Sequence, residues 1–278
     1  VDAIMFLSDK ITRLKNSRGS DKQSGYLFWE NVHGFNFRSI DSIAEGGATK
    51  NVYTYSYTQK GTEPANKQYT IENIQYPDKA NHLKSMRMGI YKSAAIGITL
   101  PAPKDAFAPN SNSTENQPGG TMNKAQVMTY EKLFSKATTV EKVPPFETPE
   151  FLSESEPTRI KYRVLPGMKN QEGKGNPKNG TDSDRDYMAV AEYASARYTL
   201  LKTIQLSIEV PGNVGLVAGS LIKLVIPGSR QKGANVKQDR KFSGLYVIAG
   251  LKHICKRDGM TTSLELVRDS LPRSGDVQ

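Results

Sequence analysis

The 278 residues include one cysteine, Cys255, one tryptophan and three histidines. A lone cysteine excludes an intramolecular disulfide and any metal site made of several thiolates. Cys255 falls in a predicted strand, where a packed thiol is expected. His33 and His82 lie in turn or loop contexts, and His253 lies near the end of a predicted strand. Neither an HExxH motif nor a paired-histidine spacing joins them, so no metal site is expected. The longest apolar run falls short of the roughly 18 residues a membrane-spanning helix needs, and stable membrane insertion is not expected. The opening run Val1-Asp2-Ala3-Ile4-Met5-Phe6-Leu7 has neither a basic leader nor a small-residue cleavage pattern. A signal peptide is therefore not expected.

Acidic residues are in the minority: 28 stand against 38 lysines and arginines, a formal net charge of +10. Such a balance suits contact with nucleic acid, an anionic protein or a membrane surface, without choosing among them. The basic residues are dispersed. Their densest groups are Arg159, Lys161 and Arg163, then Lys237, Arg240 and Lys241, then Lys252, Lys256 and Arg257. Alternate residues of a strand share a face, so Arg159, Lys161 and Arg163 form one basic face, either solvated or a docking surface for an acidic partner. Binding to single-stranded nucleic acid interleaves basic residues with stacking aromatics. Tyr26, Phe28, Trp29, Phe35 and Phe37 have few positive neighbours, and read as a hairpin core or an interface.

Along the chain, residues 2–16 have helical spacing. Residues 26–30 and 35–37 read as two strands joined by a turn at Asn31-Val32-His33-Gly34. A short helical turn over 39–43, a strand over 52–57, a strand or bend over 69–76, a helix over 78–88 and a strand over 95–100 follow. Residues 101–121, 143–157 and 166–183 are poor in apolar residues and rich in turn formers, as expected of loops that a partner orders. Residues 184–201 predict a helix whose apolar stripe is Tyr187, Ala191, Ala194, Tyr198 and Leu201. Then Ile204, Leu206, Ile208 and Val210 alternate with Thr203, Gln205, Ser207 and Glu209. Further strands are expected over 221–226, 244–254 and 261–268, with a polar, basic excursion over 228–241 and a hairpin turn at Asp258-Gly259. One helix thus feeds a small antiparallel sheet, which closure into a barrel would free of edges.

Patterns that invite catalytic readings do not complete. Gly212-Asn213-Val214-Gly215-Leu216-Val217-Ala218-Gly219 is rich in glycine, but a strand follows it and no Lys-Ser/Thr closes a phosphate loop. Asp182, Asp184 and Asp186 alternate without the glycine and distal glutamate of a calcium loop; they suit the start of the following helix. Glu154 and Glu156 share a face of an extended segment, unlike carboxylates set across a cleft. GxSxG is absent. No catalytic residue and no cofactor is expected, and the chain does not read as an enzyme.

Two parts of the sequence carry a family likeness. The run Tyr26-Leu27-Phe28-Trp29-Glu30-Asn31-Val32-His33-Gly34-Phe35-Asn36-Phe37-Arg38-Ser39-Ile40 resembles a segment of the baseplate central hub subunits of T-even-like contractile-tail phages. So do Gly219-Ser220-Leu221-Ile222-Lys223-Leu224, Ser243-Gly244-Leu245-Tyr246-Val247-Ile248, Lys252-His253-Ile254 and Leu264-Glu265-Leu266-Val267-Arg268-Asp269, in that order.

The resemblance implies an α+β structural virion protein. It would form a homotrimer that adapts a sixfold tail tube to a threefold spike. Residues 146–278, with the 184–201 helix, would form a tube-type antiparallel β-barrel domain, and residues 1–145 a mixed α/β region. A first tube domain is not found; it would precede Val1 or come from another chain. The implied partners are the tail tube protein, the spike and other baseplate proteins, with DNA passing transiently through the channel. The implied place is the virion's tail baseplate, assembled in the host cytoplasm. Thr203, Gln205, Ser207 and Glu209 would face the lumen or the outside. A type VI secretion spike or a tailocin fits the same pattern. A tail-associated cell-wall hydrolase and a nucleic-acid-binding module are the readings from other classes.

Overall fold

The fold is taken from a computed structural model, which describes residues 2–8, 11, 24–46, 52–58, 66–76, 93–99, 121–128, 133–134, 137–144, 161–166, 187–228, 238–239 and 241–272. These are mostly β-strand, with few helices.

The alternation after residue 203 decides the main sheet. In β8 (Ile204–Pro211), Ile204, Leu206, Ile208 and Val210 are buried, while the residues between them are exposed or half-buried. β8 pairs antiparallel with β11 (Gly259–Arg268), β11 with β10 (Gly244–Lys256), and β10 with β9 (Leu221–Val225). Side chains from each strand meet in one core that includes Leu206, Ile208, Ile222, Leu224, Tyr246, Ile248, Leu264 and Leu266. Burying one such aliphatic side chain contributes about 1.5–3 kcal/mol.

Two further strands come from far upstream. β3 (Tyr53–Ser56) pairs parallel with β9, and β4 (Asn73–Gln75) pairs antiparallel with β8. The order is therefore β3-β9-β10-β11-β8-β4. The sheet curls until its edges meet: Ser56 bridges Thr70, and the Ile71 N–H donates to the Ser56 carbonyl at 2.9 Å. One residue on, the Glu72 N–H donates to the Glu209 carbonyl at 2.8 Å, so the 70–75 segment is stitched to both sides. Tyr55 and Ile71 complete the interior. The sheet takes strands from both sides of residue 145, where the sequence had suggested a division.

A helix α1 (Asp2–Ser8), a two-stranded hairpin and a second short helix precede the sheet. β1 (Tyr26–Asn31) and β2 (Gly34–Ser39) pair antiparallel across a turn at Val32 and His33. Ser39 caps α2 (Ile40–Glu45), its hydroxyl accepting from the Ser42 N–H at 3.2 Å. Leu27, Trp29, Ile43 and Ala44 pack with Val140 on the outward residues Leu221, Leu245, Val247 and Val267. The hairpin and α2 thus cover part of the sheet's outer wall.

A second, three-stranded sheet has β5 (Ser93–Thr99) between β6 (Thr121–Met128), antiparallel, and β7 (Lys161–Pro166), parallel. The helix α3 (Tyr187–Leu201) lies against β5 and β6.

Two sequence expectations need correction. The buried face of α3 is Tyr193, Ala194, Arg197, Leu200 and Leu201. Of the described members of the expected stripe, Ala194 and Leu201 belong to it and Tyr198 does not. Tyr198 is half-buried, its hydroxyl donating to the Tyr26 carbonyl at 2.6 Å, and the side chains of Tyr187 and Ala191 lie outside the described residues. A hydropathy stripe rejects arginine, whereas Arg197 is buried on paired carboxylates. The Cys255 thiol is exposed, because β10 runs on beyond the curled sheet before it turns back. The first helix is described only over Asp2–Ser8. The 78–88 helix and most of the three long loops lie outside the described residues.

Candidate interaction surfaces

The most unusual polar arrangement is buried. Arg197, on α3, has no exposed surface. Its Nη1 donates to Asp269 Oδ2 at 2.6 Å, and its Nη2 donates to the Thr138 carbonyl at 2.6 Å. Its Nε lies 3.5 Å from Asp41 Oδ1, which accepts from the Thr138 N–H at 2.7 Å. Asp269 Oδ1 accepts from the Val140 N–H at 3.0 Å and from the Ser270 hydroxyl at 2.7 Å. Burial pushes the Asp41 carboxyl above its ordinary range, and outweighs the attraction of Arg197. Burial works against the Arg197 charge too, but Asp269 and Asp41 overcome it and raise its pKa. The Tyr193 phenol is also raised, by burial and by Asp41 beside it.

A second buried guanidinium, Arg268, donates from Nη1 to the Ser243 carbonyl at 2.7 Å and from Nη2 to the Lys241 carbonyl. It lies over the Tyr246 ring, 4.4 Å from its centroid. Burial lowers its pKa. Glu141 Oε1 accepts from the Leu245 N–H at 2.8 Å. These groups join α2, residues 138–141, α3 and the end of β11. Asp41, Arg197, Arg268 and Asp269 are all buried there, and they tie these segments together.

The first surface is the overhang of the β10–β11 hairpin. β9 accompanies β10 only from Gly244 to Val247. Ser220 and Gly219 then hold Ile248, donating and accepting through the backbone. From Gly250 to Lys256 the edge of β10 away from β11 has no strand beside it among the described residues. Lys252, His253, Cys255, Lys256, Arg257 and Asp258 are exposed there, and His253 Nδ1 lies 2.9 Å from the Thr262 hydroxyl. Exposed lysines are a common guard of an unpaired edge.

The second surface is the outer face of the β1–β2 hairpin. The Trp29 indole N–H donates to the Ala218 carbonyl at 3.0 Å. Its ring lies so close to Gly219, at φ +79°, that a Cβ there would collide with it. That contact fixes one face of the hairpin inward. On the other face Tyr26 stacks on Phe37, with centroids 5.0 Å apart, and Phe28 stacks on Phe35 at 5.9 Å. Phe35 is 74% exposed and Phe37 38%.

The residues singled out in the sequence are distributed as follows. Gln205 is exposed and Ser207 and Glu209 are half-buried on the outward side of β8. Asn73 of β4 lies beside them, its Nδ2 donating to Glu209 Oε2 at 3.4 Å. Thr203 does not join that face. It is buried at the end of α3, where its N–H and hydroxyl both donate to the Leu200 carbonyl, at 3.0 and 2.6 Å. Lys161 and Arg163 stand in β7 opposite Ser93 and Ala95. Their side chains, and all of Arg159, lie outside the described residues. Among the described residues no group of three His, Cys, Asp or Glu side chains comes together as a metal would need, and no helix is long and apolar enough to cross a membrane.

Sequence reasoning missed Asp41, Arg197, Asp269 and Arg268. The one legible signal was a lone arginine inside an otherwise uncharged helical stretch, Ala194-Ser195-Ala196-Arg197-Tyr198.

No family model matches the chain, and no curated protein matches it. Among solved structures it is similar to the tail protein from Neisseria meningitidis MC58, with 11% sequence identity and a TM-score of 0.37. That similarity covers 80% of this chain and 45% of the other, so this chain spans less than half the length of that protein.

Proposed function

We propose that the chain is a structural subunit of a phage-type tail hub, a trimer that adapts a sixfold tail tube to a threefold spike. The observation that carries this reading is the combination of a sealed seam and an open edge. The curled sheet closes on itself at Ser56 and Thr70, so it needs no partner there. One long hairpin overhangs it, and among the described residues no strand covers the β10 edge from Gly250 to Lys256. A ring of such subunits buries that edge against its neighbour. Repeated contacts of one kind close into a ring when the rotation between subunits allows it.

On this reading the partners are two further copies, the tail tube protein, the spike and other baseplate proteins. The place is the tail baseplate of a virion, assembled in the host cytoplasm, with DNA passing only in transit. Gln205, Ser207 and Glu209 line the lumen or the outer wall, and Arg159, Lys161 and Arg163 serve docking. The chain does no chemistry and uses no cofactor. Supporting this are the buried, solvent-free setting of its densest charge cluster and the sequence resemblance of both ends.

The test is cryo-electron microscopy of particles containing the chain. Three copies around a channel, between a sixfold tube and a tapered spike, are expected. A monomer off the tail axis, or a muralytic zymogram that clears, overturns the reading.

A further inference from the structure

The β1–β2 hairpin carries a second free edge, and its register says which groups point out of it. The Ile40 N–H donates to the Gly25 carbonyl at 3.0 Å, so Gly25 and Ile40 form a hydrogen-bonded pair. Along the antiparallel ribbon such pairs alternate with non-hydrogen-bonded ones. Leu27 with Arg38, Trp29 with Asn36 and Asn31 with Gly34 are therefore bonded across the ribbon. Phe28 with Phe37 and Glu30 with Phe35 are not, and their peptide groups point away from it. On the β1 side, the outward Tyr26 carbonyl is already taken by the Tyr198 hydroxyl, and α1 lies against β1. On the β2 side, the N–H and C=O of Phe35 and Phe37 meet no partner among the described residues. The residues whose backbone is open are also those whose rings are exposed. Glu30, directly opposite Phe35, is exposed and unpaired among the described residues.

We propose that this edge receives an extended segment of a partner protein by strand addition. The segment would carry apolar side chains at alternate positions, to lie along Phe35 and Phe37, and one lysine or arginine whose stem crosses Phe35 to reach Glu30. Main-chain bonds to an open edge supply affinity, and alternate side chains supply selectivity. A two-stranded ribbon is marginal by itself, and a third strand completes it as a sheet already anchored on its other face by Leu27 and Trp29. The exposed carboxylate of Glu30 beside Phe35 selects one basic residue at that position of the segment. This surface is distinct from the β10 edge, and the inference stands whether or not the chain forms a ring.

The test uses the full chain and a blocked nine-residue peptide in which valine alternates with threonine and one central valine is replaced by lysine. Saturable binding is expected, with slowed amide exchange at Phe35 and Phe37. Replacing the peptide lysine by glutamate, or Glu30→Lys in the protein, should weaken binding at least tenfold. Phe35→Pro should abolish it, because the lost N–H points outward and its absence leaves the ribbon's own bonds in place. Glu30→Lys is an exposed change that keeps the test valid if the proline variant does not fold. Absence of saturable binding overturns the proposal, as does equal affinity for the lysine and glutamate peptides. So does self-association of the chain that Phe35→Pro removes, which would make a second copy the occupant.

Discussion

The Arg197 guanidinium and the Asp269 carboxylate meet at 2.6 Å, and neither side chain has any solvent exposure. Removing one partner of such a pair leaves a charge buried without compensation, which costs about 3–5 kcal/mol. Asp269→Ala should lower the urea midpoint accordingly, with the slope unchanged if the denatured state is unaffected. It also strips the Val140 N–H of its acceptor. A loss under about 1 kcal/mol would mean that the pair is not closed in solution.

Asp41 gives a pH signature of defined sign. Its folded-state pKa is raised above 3.8, chiefly by burial. The folded chain therefore holds this proton to higher pH than the unfolded chain. The contribution is fully present below the ordinary aspartate value and is lost as pH rises through the raised one. Asp41→Asn removes that titration while Oδ1 can still accept from the Thr138 N–H. The stability of the variant relative to the parent should therefore rise between about pH 4 and pH 7, as denaturant melts at the two pH values would show.

Gly219→Ala tests the anchor of the hairpin. A left-handed φ costs a side-chain residue roughly 1–2 kcal/mol, and here the added methyl also meets the Trp29 ring. Because Trp29 is the only tryptophan, its fluorescence reports the displacement directly. A red-shifted emission with reduced stability is expected. An unshifted spectrum would show that the ring is not held against that turn.

Cys255 tests the proposed ring. It is the only thiol, it is exposed, and it stands on the overhanging hairpin. In the isolated chain it should react promptly with a thiol reagent. In assembled particles the rate should fall at least tenfold. Equal rates in the two states would argue against burial of the β10 edge.

Much of the strand pattern was legible because alternation with one buried face is a strong signal. Ile204 to Val210 was read directly from it, and the hairpin from its aromatic residues and the turn between them. The closure of the sheet was not. β3 and β4 are short, polar and some 150 residues away from their partner strands in sequence, and no local periodicity encodes a parallel pairing over that distance. The candidate surfaces were half legible. The aromatic run was recognised as core or interface, but its division into an anchored and an open face depends on register. The clamp of Asp41, Arg197 and Asp269 joins three distant segments, and each residue alone looks like an ordinary surface charge. Thr203 kept the alternation but not the exposure, because the end of α3 claims its hydroxyl.

The seam at Ser56 and Thr70 also imposes an order of events during synthesis. The residues that seal the sheet leave the ribosome more than a hundred residues before the four strands they seal. They must wait, unpaired, until β8 to β11 exist, and contacts so distant in sequence form slowly. Conversely, a fragment that starts after residue 76 keeps β8 to β11 but lacks the two strands that cover β9 and β8. It would expose two apolar-lined edges at once and be poised to aggregate.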